Sequence, residues 1–206
     1  MYVPAHFAES DLGVLHQFIE EHPFGLLISQ QDGLPFATHL PFLLDRAAGP
    51  NGTLLGHVAR QNPQWQQLVG QQVLAVFHGT HAYISPTWYA TDQTVPTWNY
   101  VAVHAYGTVE LIEEPAVLVE LVRELTRVAE QSMPTPWSFD PADPFVHKLA
   151  AQIVGFRITI TNLEGKWKLN QNHPRERRQQ VIDALRAQGD GNAVGIAELM
   201  SKTLPG

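Results

Sequence analysis

Phe24-Gly-Leu-Leu-Ile-Ser-Gln-Gln-Asp-Gly-Leu-Pro-Phe-Ala-Thr-His-Leu-Pro-Phe-Leu-Leu44 decides the fold class. Phe24 to Ser29 reads as a strand. Asp32-Gly33 tolerates the positive φ that a tight hairpin needs, and Pro35 to Leu44 reads as the return strand. An antiparallel pair is therefore set early. Working backward, Ser10 caps a helix over 11–21 with Leu12, Leu15, Phe18 and Ile19 on one face, and Pro23 stops it. Working forward, Asp45 to Gly52 is a loop and Thr53 to Val58 a third strand. Asn62-Pro63 opens a helix over Gln64 to Val69. Val73 to His78 is a strand that ends in a turn at Gly79. Trp98 to Ile112 is a long strand. Pro115 opens a helix in which Leu118, Leu121, Val122, Leu125 and Val128 share a face. A proline-rich loop covers Met133 to Pro144, and Ile153 to Leu163 is a strand. Gly165 turns the chain into Trp167 to Asn170, and two helices near 174–187 and 193–202 finish it. Closely spaced strands without long βαβ crossovers predict an antiparallel barrel or sandwich with helices added, mainly β. No Gly-x-Gly-x-x-Gly or phosphate-binding P-loop is present.

The bulk numbers narrow the function classes. The chain has 206 residues, enough for one sizeable core or two small domains. No cysteine is present, which removes disulfides, thiolate nucleophiles and cysteine metal sites. A formal net charge of −7 argues against a broad DNA-binding face. No apolar run reaches the length of a membrane span, and the first ten residues lack a signal-peptide pattern, so a cytoplasmic location is the default expectation.

Five segments carry candidate chemistry. Tyr83 to Tyr89 and Val95 to Gly107 set Trp and Tyr beside Ser, Thr, Asn and His, a mixture suited to a wall against a flat polar ligand. Gly56 to Trp65 joins a strand end, Arg60 and a helix start, where backbone N–H groups and a guanidinium favour an anion. The plain alternative there is a capped helix with a solvent-facing arginine. Thr38-His39-Leu40-Pro41-Phe42 alternates Thr38, Leu40 and Phe42 against His39 and Pro41, and a strand proline marks an edge or a bulge. Lys166 to Asn172 offers Lys168 for an acidic group and Gln171 for a polar edge. His78-x-x-His81 with His57 and His104 lacks the converging ligand pattern of a metal site, so no metal is expected. Ser85 lacks the Gly-x-Ser-x-Gly elbow of a hydrolase, and no catalytic residue is assigned.

Taken together, Met1-Tyr-Val-Pro-x-His-Phe7, Thr38-His-Leu-Pro41, Gly56-His-Val-Ala-Arg-x-Asn-Pro-x-Trp65, Tyr83-Ile-Ser-Pro-x-Trp-Tyr89, Val95-Pro-Thr-Trp-Asn-Tyr-x-x-Val-His104 and Lys168-Leu-x-Gln-Asn172 form an ordered pattern. The chain closely resembles the PaiB family of FMN-binding negative transcriptional regulators over nearly its whole length. The resemblance implies a flavin-reductase and pyridoxamine-phosphate-oxidase-like split β-barrel. Such a barrel is antiparallel and Greek-key-like, with six strands in 1–172, a helical insert near 115–151 and a helical extension at 173–206 packed on it. It implies a homodimer with FMN between subunits. By the same resemblance, Arg60 and the region of Asn62 hold the phosphate, Thr38, His39, His57 and Ala59 flank the cofactor, Trp98, Asn99 and Tyr100 form a second wall, and Lys168 and Gln171 make a C-terminal polar contact. The chain departs from the pattern at Gly79-Thr80, where Gly-Pro is expected, and at Asn170, where Ser is expected.

Three functional readings follow. The first is a flavin-binding regulator; direct DNA contact would fall to the C-terminal helices with Arg175, Arg177, Arg178 and Arg186. Residues 174–206 hold five basic and four acidic residues, so a helix packed through Val181, Ile182 and Leu185 is the preferred reading of that region. The second is a flavin-dependent oxidoreductase acting on a small molecule. The third is a non-catalytic flavin- or haem-binding protein with His57 or His104 as axial ligand.

Overall fold

The computed structural model describes residues 1–89 and 94–204. In chain order the elements are β1 (Ala8–Glu9), α1 (Leu12–Glu21), β2 (Phe24–Gln31), β3 (Leu34–Pro41), β4 (Leu43–Asp45), β5 (Thr53–Ala59), β6 (Gln72–Ile84), β7 (Thr97–Ile112), α2 (Pro115–Glu130), α3 (Pro144–Ala150), β8 (Ile153–Lys168), α4 (Arg175–Gln188) and α5 (Gly191–Lys202). The strands form one sheet in the order β3-β2-β6-β7-β8-β5-β4, with β1 added on β8. The placement of β5 beside β8 rather than β6 is the Greek-key feature. Among the described residues there are eight strands where the resemblance implies six, and β1 and β4 are only two and three residues long.

The chain divides into two compact units. One holds His16–Phe77 and His104–Leu163; the other holds Met1–Leu15, His78–Val103 and Glu164–Gly206. Below they are called the central unit and the terminal unit.

In the central unit β2 and β3 pair antiparallel around a two-residue turn, Gln31 opposite Leu34. Asp32 and Gly33 take φ of 51° and 81°, as a type I′ turn demands. The predicted return strand is interrupted. Pro41 ends β3, Phe42 donates its N–H to Pro23, and the chain re-pairs as β4 with β5. Proline lacks the donor a continuing ladder needs, so the strand leaves β2 there. Phe42 turns inward against Phe77 and Phe156, with ring centroids 5.3 and 6.2 Å away. The amphipathic α2 buries Leu118 and Leu121 against Ile112 and Ala150, with Leu55, Val146 and Ile153 closing the cluster.

Three local expectations are overturned. Gly79 and Gly165 do not turn the chain; β6 and β8 run straight through them. Neither glycine has positive φ, unlike Gly33, Gly49, Gly52, Gly70 and Gly189. Gly165 instead gives β1 and α1 room, since a Cβ there would lie 2.4 Å from Leu15 Cδ2 and 2.9 Å from Glu9 O. The helix after Asn62 is a 3-10 turn over Pro63–Gln67, not an α-helix, because Leu68 bonds back to Trp65 and Gly70 reverses soon after. Pro144, read as the end of a loop, starts α3, with Asp143 accepting from Phe145 N as its cap.

Candidate functional site

Asn62 organises the first group of predicted residues, all in the central unit. Its Oδ1 caps the 3-10 turn at Gln64 N (3.0 Å), and its Nδ2 donates to Thr38 Oγ1 (2.9 Å). Thr38 and Asn62 are thus brought together, tying β3 to the segment after β5. Gln64, which the sequence reading did not single out, reinforces this tie. Its buried amide nitrogen donates toward Leu27 O (3.1 Å), Ser29 Oγ (3.0 Å) and Phe36 O (3.3 Å). A glutamine in a polar Pro-Gln-Trp-Gln-Gln run gives no advance sign of burial.

Arg60 is held by backbone carbonyls. Nε donates to Ala151 O (2.9 Å) and one terminal nitrogen to Ile153 O (3.0 Å). The other terminal nitrogen lies 3.9 Å from Glu113. The guanidinium carbon stands 5.9 Å from the Trp65 ring centre, and Trp65 Nε1 donates to Arg60 O. Two of its five N–H donors are committed to carbonyls, and a carboxylate lies nearby. The N–H of Gln64, which an anion at the helix start would need, is already met by Asn62.

His39 is exposed on β3 and stacks on Phe24 at 6.3 Å and 24°. Ala59 is exposed opposite Ile153. His57 faces a cavity of about 330 Å³ whose wall includes Val119, Trp137, Phe139, Phe145 and Leu149. Its Nδ1 is buried without a hydrogen-bond partner, and burial lowers its pKa below the ordinary histidine value.

The second group lies in the terminal unit. Alternation along β7 exposes Trp98 and buries Asn99. Trp98 is 53% exposed and meets Tyr83 edge-on at 5.8 Å and His81 at 6.1 Å, forming an open aromatic face. The Asn99 amide nitrogen contacts Met200 Sδ of α5 at 3.4 Å, and its Oδ1 is buried without a partner. The Tyr100 ring centre lies 5.2 Å from Lys166 Nζ, which donates to Tyr2 O. Lys168 Nζ donates to Thr97 Oγ1 and to Trp98 O (2.8 Å). Burial, then the Lys166 charge, lowers its pKa. Gln171 turns back on its own strand end, accepting from Leu169 N (2.7 Å) and donating to Trp167 O (2.5 Å). Its amide therefore shapes the turn rather than facing outward.

That turn contains residues missed by the sequence reading. Asn170 has φ 60°, a region asparagine enters more readily than most residues, which accounts for its presence where Ser was expected. Its Nδ2 donates to Tyr89 Oη (2.8 Å), and His173 stacks on Tyr89 at 5.5 Å and 20°. Tyr89, Thr97, Lys168, Asn170, Asn172 and His173 line a pocket of about 350 Å³. Residues 90–93, between the two aromatic segments, lie outside the described residues. Among the described residues no three His, Asp or Glu side chains converge as a metal site.

The arginines offered for DNA are divided. Arg178 is buried and donates to Thr203, and Arg186 donates to Ser201 (3.1 Å), so both tie α4 to α5. Val181, Ile182 and Leu185 are fully buried.

The chemistry of the terminal unit fits flavin mononucleotide. An amphipathic tricyclic ring suits the open Trp98–Tyr83 face, and a phosphate suits a cationic pocket. Lys168 joins the two by donating to the Trp98 carbonyl.

Comparison with known proteins shows the family. The family model described as "Putative FMN-binding domain" matches residues 1–162. "Protease synthase and sporulation protein PAI 2" of Bacillus subtilis is 34% identical over 206 residues, covering 99% of this chain and 98% of that protein. An uncharacterized protein of Aspergillus fumigatus is 31% identical over 98% of this chain and 97% of its own length. Among solved structures, the flavocytochrome Anf3 of Azotobacter vinelandii superposes with a TM-score of 0.61 at 17% identity, covering 81% of this chain and 72% of that one. The FAD and heme binding protein of Mycobacterium smegmatis gives 0.60 at 16%, covering 84% and 78%. At such identities these two establish the shared fold.

Proposed function

The chain belongs to the FMN-binding domain family, with the PAI 2 protein as a full-length relative, and from that premise we propose that it is an FMN-dependent regulator acting as a homodimer. FMN binding follows from the family. The regulatory role rests on the PaiB resemblance and on the name of the Bacillus subtilis relative, which ties that protein to protease synthesis and sporulation. No helix among the described residues is long and apolar enough to cross a membrane; a cytoplasmic location remains part of the proposal.

The observation that carries the flavin reading is the pairing of an open aromatic face at Trp98 with Lys168, through the Trp98 carbonyl. We assign Trp98, Asn99, Tyr100, Lys168 and Gln171 as one set of residues that bind or shape the flavin site. Thr38, His39, His57, Ala59, Arg60 and Asn62 form the other, with the flavin at the interface of two copies. Bound FMN supplies hydride or single-electron chemistry at its ring system. The chain's residues bind the ring, order its surroundings and hold its charge. Arg60 acts in this set as a strut for the β5 end, through the carbonyls of Ala151 and Ile153.

The test is flavin loading with size-exclusion light scattering. The expected result is a yellow protein that quenches FMN fluorescence and has twice the chain mass. A monomer that takes up FMN would remove the dimer, and failure to take up FMN would remove the flavin assignment. Arg60→Ala should lower the urea midpoint by the loss of two charge-assisted bonds, on the order of 1.5–3 kcal/mol. An unchanged midpoint would refute the strut.

A further inference from the structure

We propose that the pocket of the terminal unit lined by Tyr89, Thr97, Lys168, Asn170, Asn172 and His173 is a phosphate-monoester subsite. The donors are built in. An ammonium has three N–H groups. Two of those on Lys168 go to Thr97 Oγ1 and Trp98 O, which fixes the nitrogen and leaves the third for a ligand. The Tyr89 hydroxyl accepts from Asn170, so its own proton is available to donate. His173 is held flat on Tyr89 by stacking and by its backbone N–H on Asn170 O (2.9 Å). Asn172 adds an exposed side-chain amide.

Charge points the same way. The chain is acidic overall, at −7, yet no Asp or Glu is among the described residues lining this pocket. Lys166 lies close enough to act on Lys168, and Arg177 and Lys168 both act on His173, so like charges are gathered here. An anion relieves that repulsion, and a dianionic phosphate does so best. The Arg60 region offers less, because its guanidinium is tied to two carbonyls and faces Glu113.

For the flavin this subsite rests on the FMN reading; for phosphate as such it does not. The phosphate is either the flavin's own or that of a separate phosphorylated ligand, and the experiment separates the two. Titration calorimetry of the full-length protein is run with FMN, riboflavin and inorganic phosphate, on wild type, Lys168→Met and His173→Gln, each checked for folding by circular dichroism. If the flavin supplies the phosphate, wild type prefers FMN to riboflavin. Lys168→Met then weakens FMN about ten- to a hundredfold, the factor of a charge-assisted hydrogen bond, and weakens riboflavin, which lacks the phosphate, by much less. His173→Gln does the same to a smaller degree. If FMN and riboflavin are both unaffected but inorganic phosphate binds wild type and not Lys168→Met, the pocket serves a separate phosphorylated ligand. If inorganic phosphate does not bind wild type and neither variant changes the preference for FMN over riboflavin, the subsite is overturned. An equal loss for both flavins in Lys168→Met overturns it too. Wild type that binds neither flavin defeats the FMN reading alone, and the inorganic-phosphate arm still decides the pocket.

Discussion

His57 sits on β5 with one ring nitrogen buried and unpartnered, in a mainly apolar wall that also includes Thr126 and Asp143. Burial favours its neutral form, so its folded pKa lies below its unfolded one. A histidine with a depressed folded pKa supports the fold fully above the unfolded value, about 6.5. That support is lost as pH falls from there toward the folded value. His22 and His173 are lowered in the same direction, chiefly by burial, and add to the effect. Urea midpoints should therefore fall between about pH 7 and 5, and His57→Leu should flatten that decline. Equal pH slopes in the two proteins would show that His57 does not titrate on unfolding. Gln64 is a buried polar side chain whose amide donors are used while its Oε1 is left without a partner. Gln64→Ala strips carbonyls of Leu27 and Phe36 of a donor and should cost about 1–3 kcal/mol in denaturant unfolding. A loss below about 0.5 kcal/mol, the size of an ordinary surface change, would mean that water replaces it. His57 was legible as a candidate from its sequence neighbours. Gln64 was not, because its role depends on carbonyls of β2 and β3 that only the folded chain brings to it.

Strands that looked broken at glycines run through them, and this is a matter of backbone conformation. Gly107, at the end of the aromatic stretch, shows why some strand glycines are present. A Cβ there would lie 2.4 Å from Thr159 O and 2.6 Å from Ile158 Cγ2 on β8. Gly107→Ala must push the strands apart and should destabilise by about 1–3 kcal/mol, read as a lower thermal and urea midpoint. Wild-type stability in that variant would mean the ladder relaxes freely. Hairpin chemistry at Asp32-Gly33, the proline-started helix at Pro115 and the apolar face of α2 were readable beforehand, since each depends on residues close in sequence. The break at Pro41 and the continuity of β6 and β8 depend on which strand lies alongside, and local sequence does not carry that.

For the whole chain, charge is the property that most constrains a regulatory role. Net charge is −7, and two of the four arginines offered for DNA hold α4 to α5. Generic duplex DNA should therefore give no stable complex at about 0.15 M salt, where phosphate contacts must be numerous to persist. A complex that survives that salt with a steep slope would place a basic face where none is expected. Hairpin turns and short strand spacing were enough to predict a mainly antiparallel chain, because those signals are local; the flavin was implied only by the resemblance that the ordered motifs carry to the PaiB family. Tertiary structure alone decided that β5 lies beside β8, that Arg60 and Gln171 are turned onto backbone carbonyls, and that Lys168, Asn170 and His173 share one pocket. Those outcomes depend on hydrogen-bond partners and charges distant in sequence, and they are settled only when the strands have paired.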